Sequence, residues 1–200
     1  MMPSAPRLIL ASSSAARLRV LRDAGFEPQV AVSGVDETVG QMTTAEAVAV
    51  LAERKANAVA THFPEALVLG CDSMLELDGR SLGKPQSEGD VIEVWGSLAG
   101  RQAPLWTGHF LIDTRSGASV REVASTMIRF GRPSKEEVRA YAATGDALSL
   151  AGAFSIEGRA GPFVEGIDGS PSNVLGLSLP HFRSMLVQVG VQIFDLWRDG

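Results

Sequence analysis

The chain has 200 residues, 45% of them hydrophobic and 20% charged, with a formal net charge of -5. That apolar share belongs to a globular protein with a core, and the length suits one larger domain or two small ones. An acidic total disfavours a broad basic face for DNA or RNA, and the single Cys71 excludes an intrachain disulfide framework.

No apolar run reaches the ~18 residues needed to span a bilayer, and the opening segment lacks the apolar stretch of a signal peptide. A cytoplasmic protein with no membrane partner is expected. In chain order, Arg7 to Ala11 reads as a strand and Ser12 to Ser14 as a loop. A helix follows over Ala15 to Ala24, stopped by Gly25. Glu27 to Val32 reads as a second strand. Thr43 and Glu46 make a capping box for a helix running to His62. The continuous apolar run Ala66 to Cys71 predicts a buried strand ending at Asp72.

Met74 to Leu77 and Arg80 to Leu82 flank Asp78-Gly79, a favoured hairpin turn. Ser87 opens a helix that stops at Gly100. Two long strands, Gln102 to Asp113 and Ala118 to Phe130, come next. Ser134 and Glu137 cap a further helix, and Pro180 marks the start of the last one. Alternating strands and helices with an antiparallel pair in the middle predict a mixed α/β fold, here expected as a single domain over residues 1–200.

Several places could carry chemistry. Leu8 to Arg17 runs from a strand through Ser12, Ser13 and Ser14 into a helix, so backbone N–H groups and the helix dipole converge there, with Arg17 adding charge. The same stretch also reads as an ordinary capped surface helix. Val35-Asp36-Glu37 offers carboxylates for a metal, or a solvated turn. Asp72, at the edge of the most hydrophobic run, suits a metal ligand or a base for water, or a turn cap. Arginine outnumbers lysine 15 to 3, so the lysines that remain invite attention. Lys84 sits in the rigid Gly83-Lys84-Pro85 and Lys55 lies mid-helix, whereas Lys135 reads as surface. Glu157 follows a run of small residues, Ala151-Gly152-Ala153, that lets a ligand approach the backbone, and the stretch equally reads as a Gly-rich loop with a solvated Glu. His62, His109 and His181 lack metal-ligand spacing and are expected at or near the surface. Trp95, Trp106 and Trp197 are expected in the core.

The order of these stretches resembles the Maf family of nucleoside triphosphate pyrophosphatases, also called septum-formation proteins. The match spans about Leu8 to Leu186. It rests on Leu10-Ala11-Ser12-Ser13-Ser14 with Arg17, Val35-Asp36-Glu37, Glu53-Arg54-Lys55-Ala56 and Gly70-Cys71-Asp72-Ser73. Gly83-Lys84-Pro85, Thr107-Gly108, Ala151-Gly152-Ala153-Phe154, Gly169-Ser170, Ser172-Asn173-Val174 and Gly176-Leu177 complete it. The resemblance implies two α/β lobes around a central mixed sheet, with the active site in the cleft between them. It implies hydrolysis of a nucleoside triphosphate at the α–β bond, a divalent cation (Mg²⁺ or Mn²⁺) and a homodimer. It further implies removal of unwanted nucleotides and restraint of cell division. Asp72, Lys55 and Lys84 are then the catalytic residues. Ser12, Ser14, Arg17, Ser73 and Glu157 contact substrate, and Glu37 with Asp72 holds the metal. The alternative is a nucleotide-binding regulator of septum formation with little turnover.

The chain departs from the family where substrate choice is concerned. The usual Ser-Pro-Arg-Arg is here Ser14-Ala15-Ala16-Arg17, so one arginine is missing at Ala16. Leu150 replaces a common lysine. Ser73 and Glu157 stand where relatives acting on thymidine and uridine triphosphates carry Thr and Gln, and Glu157 is similar to relatives that hydrolyse 7-methyl-GTP. An ionised Glu only accepts hydrogen bonds, whereas Gln also donates. Glu157 is therefore expected to favour guanine or cytosine, which present N–H donors, over thymine and uracil.

Overall fold

A single mixed sheet organises the chain, for which the computed structural model describes residues 6–197. The elements are β1 (Arg7–Leu10), α1 (Ala15–Asp23), β2 (Gln29–Val30), α2 (Thr44–Ala60), β3 (Ala66–Leu77), β4 (Arg80–Leu82) and α3 (Glu88–Leu98). After them come β5 (Gln102–Asp113), β6 (Ser119–Phe130), α4 (Lys135–Ala142), β7 (Val164–Asp168), α5 (Pro171–Val174) and α6 (Leu179–Gln188). Strand order is β2-β1-β3-β5-β6-β7, with β4 paired to β3. β1 runs parallel to β2 and β3, and the remaining pairs are antiparallel. The expected mixed α/β architecture is therefore present. None of the described helices is long and apolar enough to cross a membrane.

The capping signals locate helix starts well. Thr43 and Glu46 form the reciprocal box of α2, with Thr43 N donating to Glu46 Oε2 at 2.8 Å. Ser87 with Asp90 and Ser134 with Glu137 do the same for α3 and α4. β2 is shorter than expected because it is an edge strand, with only Ile9 and Leu10 of β1 opposite it. β7 and α5 were not foreseen.

The main difference concerns β3. The strand does not end at Cys71 but runs on to Leu77, because β5 pairs with it continuously: Cys71 with His109, Asp72 with Gly108, Ser73 with Thr107. The strand that ends is β1. It pairs Leu10 with Leu69 and then leaves the sheet, so Asp72 and Ser73 emerge just past its carboxyl edge.

Two of the apolar clusters meet at the same place. One contains Leu8, Leu69, Cys71, Phe182 and Met185. The other contains Leu75, Trp95, Leu105, Phe130 and Phe154. Asp72 and Ser73 fall on β3 between Cys71 of the first and Leu75 of the second. A third cluster, with Ile9, Ala52, Ala56 and Val68, joins α2 to the sheet.

Two side-chain expectations are corrected. His109 is fully buried: its Nε2 accepts from Ser178 N–H at 2.9 Å and its ring stacks on His181. Burial holds its pKa down to about 3, so the ring is neutral. Trp197 is half-exposed rather than in the core, because the last turn lies over the surface near Phe26.

α2 lies unusually close to the sheet, and two glycines permit it. A Cβ on Gly70 would stand 2.2 Å from Ala52 O and 2.8 Å from Ala56 N. One on Gly108 would stand 2.2 Å from Val48 O. Gly70→Ala is expected to push α2 outward and destabilise the fold by about 1–3 kcal/mol, the usual cost of overpacking. Chemical denaturation checks this, and stability equal to the parent chain would contradict the account.

Candidate active site

α2 turns an apolar stripe of Val48, Ala52 and Val59 toward the sheet, and Lys55 falls on that stripe. The residue is buried at 7% exposure, where an unpaired ammonium would be strongly disfavoured. It is not unpaired. Lys55 Nζ donates to Asp72 Oδ1 at 2.6 Å and lies 2.7 Å from Glu37 Oε1. The ammonium thus stands between two carboxylates, one on a rigid strand and one on a loop.

The loop carrying Glu37 is itself tied to α2. Arg54, next to Lys55, donates to Thr38 O at 2.8 Å and to Asp36 O at 3.4 Å. Asp36 Oδ1 accepts from Thr38 N–H. Asp36 therefore shapes the turn while Glu37 reaches the centre. The Lys55 hydrogen bond holds the Glu37 carboxyl below the ordinary range, with Lys84 and Arg17 adding attraction. Lys84 is exposed, in the loop between β4 and α3, and attracts the Glu37 carboxylate electrostatically.

Asp72 keeps one oxygen available. Lys55 occupies Oδ1, while Oδ2 has no hydrogen-bond partner among the described residues and keeps contact with solvent. Cys71 beside it is a different case. Its thiol is fully buried and pushed up to about 12, which keeps it protonated and unsuited to nucleophilic work.

Arg17 forms the second centre. Its Nε donates to Gly176 O at 2.7 Å, one Nη to Ser12 Oγ and the other to Ser73 Oγ, both at 3.0 Å. Three of its five N–H donors are used, leaving two. Ser12 Oγ also accepts from Ser14 N–H, so its own proton remains available to donate. Ser14 caps α1 through Arg17 N–H, and the amides of Ala15 and Ala16 lack intrahelical acceptors, as at any helix start. Direct contacts thus form two groups, Lys55 with Asp72 and Glu37, and Arg17 with Ser12, Ser14 and Ser73; the adjacent Asp72 and Ser73 of β3 join them, and Arg17 and Lys84 both attract Glu37.

Glu157 lies outside both groups. Its carboxylate is ion-paired with Arg19 of α1. Four residues received no individual role from sequence. Thr107 shares a hydrogen bond with Ser73 at 2.9 Å. Asn173 donates to Leu105 O and Thr126 Oγ1, fixing α5 against β5 and β6. Gly176, at a φ of +95°, turns its carbonyl to Arg17. Arg19 is the fourth. The first three lie inside recognisable motifs, whereas nothing in the sequence marked Arg19.

A hydroxyl-lined helix start, a guanidinium with spare donors, two lysines and two carboxylates suit an anionic ligand and an activated water. Comparison with known proteins agrees with that chemistry. A family model described as "Maf-like protein" matches residues 7–189. A curated protein named "Nucleoside triphosphate pyrophosphatase" from Streptomyces coelicolor is 51% identical over 195 residues, covering 96% of this chain and 94% of that protein. One of the same name from Salinispora tropica is 46% identical over 200 residues, covering 97% and 88%. The solved Staphylococcus aureus Ham1 protein matches at a TM-score of 0.41 and 16% identity, over 62% of this chain and 72% of that one, a likeness that carries no argument.

Lys55→Met removes the ammonium that holds Glu37 in its ionised form. The Glu37 carboxyl is then expected to titrate nearer its ordinary value of about 4.5, read by NMR. An unmoved Glu37 titration would contradict the pairing.

Proposed function

This chain belongs to the Maf-like protein family, and from that premise we propose that it hydrolyses nucleoside triphosphates at the α–β anhydride, giving monophosphate and pyrophosphate. The observation that carries the reading is the buried Lys55 ammonium held between Asp72 and Glu37, beside the Arg17 and Ser12 to Ser14 helix start. The names of the curated relatives support the reaction class.

In this reading the triphosphate lies along the cationic side of the site. Arg17 offers its two remaining N–H donors, Ser12 its hydroxyl, and the first turn of α1 its amides. Lys55 and Lys84 balance charge that grows on the leaving group. Asp72 Oδ2 takes a proton from a water. The water oxygen bonds to the α-phosphorus, the bridging P–O bond to the β-phosphate breaks, and pyrophosphate leaves with that electron pair.

A divalent metal fits the donor set in one way only. Among the described residues there is no group of three His, Cys, Asp or Glu placed to enclose an ion. Two carboxylates that share a site with substrate phosphates are, however, the arrangement magnesium favours. Glu37 and Asp72 would hold Mg²⁺ or Mn²⁺, and the ion would supply charge neutralisation of the triphosphate oxygens. We further propose action in the cytoplasm as a homodimer, on modified or unwanted nucleotides, with a link to cell-division control.

Pyrophosphate release over a panel of triphosphates with magnesium or manganese tests the reaction. Asp72→Asn is expected to lower kcat by about 10²–10⁴-fold, the usual share of a general base. A variant with full activity overturns the role of Asp72. No release by the parent chain overturns the reaction and favours a nucleotide-binding regulator.

A further inference from the structure

Arg17 reaches two acceptors far away in sequence, Gly176 O at 2.7 Å and Ser73 Oγ at 3.0 Å, and β5 stands behind both. Thr107 of β5 shares a hydrogen bond with Ser73 at 2.9 Å. His109 follows on the same face of the strand, while Gly108 between them faces α2. His109 Nε2 accepts from Ser178 N–H at 2.9 Å, in the turn that carries Gly176.

Each amide along that turn has its own acceptor. Gly176 N–H donates to Asn173 O, Leu177 N–H to Ser172 O, Ser178 N–H to His109 and Leu179 N–H to Ser172 Oγ. The other bonds close within the segment, and the one to His109 alone ties an amide of the turn to the sheet. Ser178 Oγ shares a further hydrogen bond with His181 Nδ1 at 2.8 Å, and the two imidazoles stack with centroids 6.1 Å apart.

The fully buried ring of His109 provides its acceptor at a cost. Because Nε2 accepts, the neutral ring carries its proton on Nδ1. The backbone carbonyls of Glu122 and Thr107 attract that proton, yet Nδ1 closes no hydrogen bond of good geometry. An apolar side chain would fill the space without that penalty, as Leu111 does farther along the same face. The distinctive contribution of the imidazole is the acceptor at Nε2.

Resting on the reading that Arg17 binds the phosphates of a nucleoside triphosphate, we infer that His109 is a positioning residue. It fixes the Ser178 amide, and with it the Gly176 carbonyl that aims the Arg17 guanidinium at the ligand. The long arginine stem leaves the fork free to swing unless Nε is held, and two-point recognition of a phosphate depends on the orientation of the fork.

The test measures equilibrium binding of α,β-methylene GTP and α,β-methylene UTP, which resist cleavage at the α–β bridge, in the presence of magnesium. Binding is expressed per folded protein, judged by circular dichroism. Gln places an acceptor where Nε2 stands, Asn places one where Nδ1 stands, and Leu has none. His109→Leu and His109→Asn are each expected to weaken binding of both nucleotides by about tenfold, the scale of one hydrogen bond to a charged group, with His109→Gln within about threefold of the parent chain. In an Arg17→Met background either weakening is expected to shrink to less than about twofold, because the ring acts through Arg17. Unchanged binding by folded His109→Leu or His109→Asn, an equal loss in His109→Gln, or a loss undiminished in the Arg17→Met background overturns the inference. A set in which neither His109→Leu nor His109→Asn folds also overturns it, since the ring then serves folding rather than positioning. Arg17→Met that binds like the parent chain overturns the phosphate-binding reading of Arg17 and this inference with it. A parent chain that binds neither nucleotide overturns the nucleotide reading itself.

Discussion

A buried ammonium between two carboxylates governs the layout of this protein. Lys55 sits in the apolar face of α2, where its charge is tolerable only because Asp72 and Glu37 meet it within 2.7 Å. Ion pairs of this kind contribute little net stability, since desolvation offsets much of the attraction. Their placement is nevertheless demanding. α2 reaches Asp72 only because Gly70 and Gly108 let its backbone rest on β3 and β5. The Glu37 loop reaches Lys55 because Arg54, the neighbouring residue, holds that loop by its carbonyls. One helix thus supplies the cation, the clearance and the anchor for the anionic loop.

Arg17 extends the same logic to the rest of the fold. Its three hydrogen bonds join α1, β3 and the turn after α5. Ser73 passes the connection to Thr107 on β5, and Asn173 ties α5 to β5 and β6. Two cores therefore meet across a polar seam rather than an apolar one. Such a seam has little to offer as packing but presents donors and charge to a ligand from both sides.

Much of this was legible in the sequence where local rules apply. The capping boxes at Thr43, Ser87 and Ser134 mark helix starts by their own hydrogen bonds. Lys55 and Lys84 stood out because lysine is rare in this chain. The continuation of β3 beyond Asp72 was not legible. Polar residues broke the apolar run, and only pairing with β5, distant in sequence, keeps the strand going. β7 lacks an alternating apolar pattern, since its five residues are partly or fully exposed. The Arg19–Glu157 pair depends on tertiary approach alone, so neither residue signalled the other.

The centre on Lys55 is tested most directly by pyrophosphate release from a nucleoside triphosphate by Lys55→Met, with circular dichroism confirming that the variant folds. The account predicts a fall in kcat of about 10²-fold or more, the scale on which a preorganised charge at a reacting phosphate acts. A folded Lys55→Met that keeps kcat within about threefold of the parent chain, well inside that scale, would contradict it.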